Sequence, residues 1–271
     1  MSLPTPQTLK LTQEKGTLFL TLNRPQVRNA MSLEMVQELC ELFDTIEKDP
    51  TIRTIVIRGE GQHFCAGADI KDLAEARKDM TTDPSDPKNP IFKLNRAFGH
   101  LMTKANQTSK TLICVLEGAV LGGGFGLAAV SDIALSLEDA RFGLPETSLG
   151  IIPAQIAPFV VLRIGLTQAR YLALTGARFN GIEAARIGLV HLTAKNTVEL
   201  EAQLEQVLQQ VNRCAPQANA TTKKIMLKVG SAPLEQLLDE AALDFSCAAQ
   251  GVEGREGTLA FLENRLPSWA E

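Results

Sequence analysis

Residues 9–12 and 17–22 are two short runs of mostly apolar residues and threonine, with Lys15-Gly16 between them. The two runs predict a pair of short strands joined by a turn. From Ser32 the pattern changes. Val36, Leu39, Cys40, Phe43 and Ile46 share one face at helical spacing, Ser32 is placed to cap that helix, and Pro50 to end it. Residues 54–58 (TIVIR) and 111–116 (TLICVL) are unbroken β-branched and apolar runs, which predicts buried strands. Residues 133–137 give one more short strand. Beyond Gln155 the pattern is largely helical, with amphipathic stretches near 197–213, 216–229, 233–249 and 254–264. Strands with single helices first and helices last predict an α/β architecture. Residues 81–90 (TTDPSDPKNP) carry three prolines and no period, and are expected to form a mobile loop. No fixed-period repeat is visible.

Strand, glycine loop, helix occurs twice, over 54–73 and 111–130. The second copy holds Gly118, Gly122, Gly123, Gly124 and Gly126 within nine residues. Glycine inside an element is destabilising by about 0.5–1 kcal/mol relative to alanine. The run therefore points to a backbone that must come close to a ligand. A helix start offers unpaired N–H groups and partial positive charge, which suits an anion or a developing oxyanion. Two such donors converging on one point would form an oxyanion hole. The run is not a phosphate-binding P-loop, because no Gly-Lys-Ser/Thr follows, and it is not a full GxGxxG.

Composition narrows the classes. The 271 residues suffice for one large domain, or one domain with an appendage. Aromatics make up 5% and the formal charge is -4, which argues against a nucleic-acid partner. Five cysteines, an odd number without CxxC spacing, read as free thiols in a reducing compartment. His63, His100 and His191 lie in separate segments without metal-ligand spacing, so no metal is expected. The first residues show no secretory pattern, and the weakly polar stretch 118–130 is short of the about 20 residues a bilayer requires. The expected location is the cytoplasm, with no membrane partner.

The motifs His63-Phe-Cys-Ala-Gly-Ala-Asp-Ile-Lys71, Glu117-Gly-Ala-Val-Leu-Gly-Gly-Gly124 and Phe142-Gly-Leu-Pro-Glu-Thr-Ser-Leu-Gly150 stand in order along the chain. Together with Asn23-Arg-Pro-Gln-Val-Arg-Asn-Ala30, they resemble the signature segments of the enoyl-CoA hydratase/isomerase (crotonase) superfamily. The resemblance runs from about residue 7 to the C-terminus. It implies a spiral of ββα turns over 1–195 that binds acyl-CoA, and a helical trimerisation region over 196–271, giving a trimer or a dimer of trimers. Coenzyme A would be part of the substrate, with no separate cofactor. The resemblance places the oxyanion donors at the backbone N–H groups of Ala68 and Gly123, and the catalytic acid/base at Glu146. Arg28, Ala30, Ala66, Asp69, Ile70, Lys71 and Gly122 would line the CoA and acyl path, and Phe245 would join it from the C-terminal helices. Where the family often has lysine this chain has Asn264, which leaves Arg265 as a substitute.

Glu146 stands among Leu144, Pro145, Leu149, Ile151 and Ile152. That apolar setting should raise its pKa toward the range useful for proton transfer. Family hydratases carry a second glutamate two residues after the glycine triplet, and here that residue is Gly126. Three readings stay open: Glu146 works alone, another acid such as Glu117 replaces the missing one, or the reaction is not hydration. Glu117 also reads as a structural carboxylate, and Asp69 as a helix cap. The segment Gly150-Ile-Ile-Pro-Ala-Gln-Ile-Ala-Pro-Phe-Val160 resembles the branch acting on 3-branched glutaconyl-CoA esters, including the isohexenylglutaconyl-CoA hydratases of acyclic terpene breakdown. Gln155 would then be an amide donor to a distal carboxylate. A Δ3,Δ2-enoyl-CoA isomerase needs only one glutamate and is the main alternative. An acyl-CoA decarboxylase and an RNA-binding relative are weaker ones.

Overall fold

The computed structural model describes residues 3–78 and 82–270. The strands are β1 (Leu9–Glu14), β2 (Thr17–Leu22), β3 (Thr54–Gly59), β4 (Thr111–Leu116), β5 (Ala119–Leu121), β6 (Ile133–Leu137), β7 (Arg141–Gly143), β8 (Arg178–Phe179) and β9 (Leu192–Ala194). The helices are α1 (Leu33–Glu47), α2 (Ile70–Ala76), α3 (Pro90–Gln107), α4 (Gly123–Val130), α5 (Ala157–Thr175), α6 (Gly181–Arg186), α7 (Thr197–Asn212), α8 (Pro216–Leu227), α9 (Leu234–Gln250) and α10 (Val252–Leu262).

β1 and β2 form the expected antiparallel pair, and the main sheet continues in parallel in the order β1-β2-β3-β4-β6-β9. Parallel strands need both faces covered, and the alternation along them supplies two cores. Ile55, Ile57, Leu112, Cys114 and Leu116 face α1, α3 and α4, while Val56, Ile113, Val115 and Leu135 face Leu200, Leu204 and Val207 of α7. A smaller sheet, β5-β7-β8, lies beside the first. Parallel bridges Cys65↔Val120 and Met31↔Ala68 extend it. Main strand, short strand, helix is thus a repeated turn: β3 with the bridge at Cys65 and α2, then β4, β5 and α4, and then β6 with β7. This is the ββα spiral, a repetition in space that has no period in the sequence.

The Ser32 hydroxyl accepts the Met35 N–H and caps α1, as expected. α3 is not among the expected elements, although Leu94, Ala97, Phe98, Leu101, Met102 and Ala105 recur at helical spacing along it. Asn89 and Pro90 start it: the Asn89 carbonyl oxygen accepts from Ile91 and Phe92, and proline fixes the first helical φ. The preceding residues 82–88 form turns in which Asp83 and Asp86 accept the N–H groups of Ser85 and Lys88. Thr81, the first residue of the expected loop, lies outside the described residues. No described helix is long and apolar enough to cross a membrane.

Candidate active site

The loop after β3 returns to Met31. Met31 N–H donates to Gly67 O at 2.8 Å, and Asp69 N–H to Met31 O at 2.9 Å. These two bonds make the parallel bridge, so the N–H and C=O of Ala68 between them point to the opposite side. Arg24 fastens this loop. Its Nη2 stands 2.8 Å from Asp69 Oδ2, and its Nη1 donates to Ala30 O at 2.5 Å. Asp69 also caps α2 by accepting the Lys71 N–H at 3.0 Å. Burial pushes the Asp69 carboxyl up, but the bonds from Arg24 and Lys71 outweigh it and leave the group below the usual carboxylate range. Buried Asn29 donates to Glu60 O at 2.9 Å and His63 O at 2.7 Å, and accepts the Arg24 N–H at 2.8 Å.

The second donor comes from β5. Leu121 N–H donates to Cys65 O at 2.9 Å and Gly122 N–H to Gly143 O at 3.1 Å. The chain then bends at Gly122, where φ is +48°, and α4 starts at Gly123. Gly126 N–H reaches back to Gly122 O at 2.9 Å, so the Gly123 N–H lies ahead of the helical ladder. A Cβ on Gly122 would stand 2.9 Å from Glu146 Oε1 and 3.5 Å from Gly67 Cα. That one point relates all three parts: the Gly67–Ala68 peptide, the start of α4, and the Glu146 carboxyl. A Cβ on Gly123 would meet Phe98 Cζ at 3.2 Å and Met31 Sδ at 3.3 Å, so an aromatic ring and a thioether wall the space beside this donor.

Glu146 begins a short 3₁₀ turn, Glu146–Leu149, directly after β7 and Pro145. It is half-buried, and among the described residues its Oε2 is buried without a hydrogen-bond partner. Burial raises its pKa, as its apolar setting predicts, with a backbone hydrogen bond of its own residue acting in the other sense. An unpartnered carboxylate oxygen is costly to bury, and this one stands at the turn where α4 begins, which makes Glu146 a candidate for chemistry.

At Gly126 the structure adds what sequence could not. A Cβ there would run into Ile156 Cγ2 and lie 3.1 Å from Met102 Sδ. The room that a second glutamate would need is filled by hydrocarbon. Glu117 does not take its place. It stands at the end of β4, where Arg58, Glu201 and Asp139 are its charged neighbours, on the side of the sheet that α7 covers; burial raises its pKa and Arg58 lowers it. Gln155 is engaged within the protein, its Nε2 donating to Asn95 Oδ1 at 2.9 Å.

The family model described as enoyl-CoA hydratase/isomerase matches residues 12–271. The chain belongs to this family. An enoyl-CoA hydratase/isomerase from Marinobacter aquaeolei is 53% identical and superposes with a TM-score of 0.95 over 98% of this chain and 100% of its own. AtuE of Pseudomonas aeruginosa is 55% identical with a TM-score of 0.94, over 98% and 100% of the two chains. The 2,3-dehydroadipyl-CoA hydratase of Escherichia coli K12 is 30% identical over 96% of this chain and 98% of its own.

The remaining expected residues stand at exposed or partly exposed positions on several elements. Arg28 is exposed and left-handed (φ +52°), and its carbonyl accepts the Ala66 N–H at 3.0 Å. Ile70 and Lys71 are exposed at the start of α2. Phe245 projects from α9, 75% exposed. Arg265 is held by Glu256 at 2.7 Å and Glu263 at 2.8 Å. His63 Nδ1 accepts the Ala119 N–H at 3.1 Å, and burial with nearby Arg28 and Arg141 lowers its pKa, so the ring is a neutral support for β5. The Cys65 and Cys114 thiols are fully enclosed and pushed up to about 12 by burial, which makes them packing residues. Arg24 and Asn29 support the site although neither residue type singles them out; the signal for them in the sequence is their place in the motif ending at Ala30.

Proposed function

We propose that the protein hydrates an α,β-unsaturated acyl-CoA with Glu146 as its single acid/base. The thioester oxygen sits between the N–H groups of Ala68 and Gly123. Glu146 takes a proton from water as its oxygen attacks the β-carbon, and the electron pair of the double bond moves onto the thioester oxygen as an enolate. Glu146 then returns the proton to the α-carbon, closing the balance with one water added. Backbone donors of this kind are worth about 3 kcal/mol each to such a transition state. The observation that carries the reading is the half-buried Glu146 carboxyl, whose Oε1 lies 2.9 Å from where a Cβ on Gly122 would stand, at the turn into α4. As substrate we propose a 3-branched glutaconyl-CoA ester, of which isohexenylglutaconyl-CoA is one. The carboxylated substrate in the name of the Escherichia coli relative supports a second carboxylate in general terms.

The apolar filling at Gly126 favours a second reading, a Δ3,Δ2-enoyl-CoA isomerase, because moving one proton between two carbons needs one carboxyl. Incubation with enoyl-CoAs in H₂¹⁸O separates the two. A product heavier by one labelled water supports hydration, and an unchanged mass with a displaced double bond sinks it.

We further propose self-association as a trimer or dimer of trimers through residues 196–271. Leu243, Phe245, Phe261 and Leu262 are exposed large apolar side chains there, a surface that a second copy would cover. The five cysteines are free thiols, which fits a reducing cytoplasm.

A further inference from the structure

α3 presents Asn95, Phe98, Gly99 and Met102 at spacings of three and four, so they share one side. Phe98 stands over Gly123 and Met102 over Gly126. Between them Gly99 is buried, and a Cβ there would collide with Gln155 Oε1 and lie 2.5 Å from Arg96 Nη1. A guanidinium and an amide thus fill the hollow left by a missing side chain, next to the ring that walls the oxyanion donor. The Gln155 amide is oriented by its bond to Asn95, which turns its oxygen toward Arg96. Arg96 Nη1 donates to that oxygen at 3.4 Å, the long end of hydrogen-bonding range. The guanidinium has five N–H donors. It is half-buried, and among the described residues it pairs with no carboxylate.

A half-buried cation with one loose neutral partner lacks its best acceptor, and a planar carboxylate offers two parallel bonds to the guanidinium fork. We propose that Arg96, steadied by Gln155, anchors a carboxylate on the acyl part of the substrate, so that the site selects CoA half-esters of dicarboxylic acids over plain alkyl thioesters. Gln155 is then the holder of the anchor, and the charge comes from Arg96. The inference rests on the acyl-CoA reading of the site, and concerns which acyl group enters it.

Saturated thioesters test it without turnover. Glutaryl-CoA and pentanoyl-CoA have acyl chains of equal length and differ by the terminal carboxylate, and calorimetric titration of the full chain gives both Kd values. The wild type is expected to bind glutaryl-CoA at least about tenfold more tightly, the scale of one charged hydrogen-bonded contact. Arg96→Met should bring the ratio of Kd values to about one, and Arg96→Lys should keep part of it, because lysine keeps the charge and loses the fork. A ratio is insensitive to a misfolded fraction. Equal or inverted affinities in the wild type overturn the inference, as does a preference that survives in Arg96→Met. Failure to bind either thioester would overturn it together with the acyl-CoA reading. A binding preference without uptake of labelled water leaves the anchor standing and removes only the hydratase reading.

Discussion

Arg24 Nη2 lies 2.8 Å from Asp69 Oδ2, and this pair joins the segment before α1 to the loop that presents Ala68. Arg24→Met would strand a buried carboxylate and is expected to destabilise the fold by about 2–3 kcal/mol. That is below the about 3–5 kcal/mol of a fully buried pair, because Arg24 keeps part of its surface wet. Asp69→Asn keeps the helix cap and loses only the charge. If the pair positions the oxyanion donor, kcat should fall about tenfold or more in both variants at temperatures where they remain folded, since small displacements near the reacting atoms are expensive. A lowered Tm with normal kcat would make the pair purely structural.

Glu146 must be ionised to take a proton from water, and burial raises its pKa above the ordinary 4.5. Activity should therefore rise with pH through an acid limb whose midpoint lies above 4.5. Glu146→Gln should lower kcat by about 10²-fold or more. Its Tm should not drop, because the ionised side chain is disfavoured by its own burial. Ionisation of Glu146 above its raised folded pKa works against the folded state, so its contribution to stability is full at low pH and declines as pH rises through that pKa. Near-normal turnover in Glu146→Gln would refute the assignment.

Gly126→Ala tests the filled second-acid position. Alanine ordinarily gains about 1 kcal/mol over glycine within a helix. Here its Cβ meets Ile156, and overpacking should reverse the sign to a net loss of about 1–2 kcal/mol. Ile156→Ala in the same chain should recover most of that loss. Denaturant titrations of the four proteins in the cycle give the coupling, and additive effects would mean that the two side chains do not compete for the space.

Glu117→Gln is expected to keep kcat within about threefold, because Glu117 stands on the α7-covered side of the main sheet, away from Glu146. A fall of about 10²-fold, the size of an acid–base contribution, would return Glu117 to the reaction.

The parts of the site written in local pattern were readable in advance. Gly122 and Gly123 follow a β-branched strand, and Glu146 stands in an apolar frame within a recognisable motif. The supports were harder to see. Ile156 meets Gly126 across thirty residues of chain, and only the folded packing of α3, α4 and the segment before α5 brings them together. α3 does carry a helical period, in Leu94, Ala97, Phe98, Leu101, Met102 and Ala105, and its start is set by Asn89 and Pro90. Arg96 carries no signal in isolation, since its role depends on the hollow at Gly99. The spiral was implied by resemblance alone, because its turns differ in length.

Ala68 offers its N–H from a two-bond bridge, and Gly123 offers its own from the first turn of a helix. Neither contribution passes through a side chain. A scan that trims residues one at a time to alanine would pass over Ala68 without changing an atom and would read any loss at Gly123 as crowding against Phe98. On the proposed mechanism both oxyanion donors are thus invisible to ordinary side-chain mutagenesis. Replacing the single amide at Ala68 or Gly123 by an ester, which deletes the N–H and leaves every side chain in place, addresses it directly.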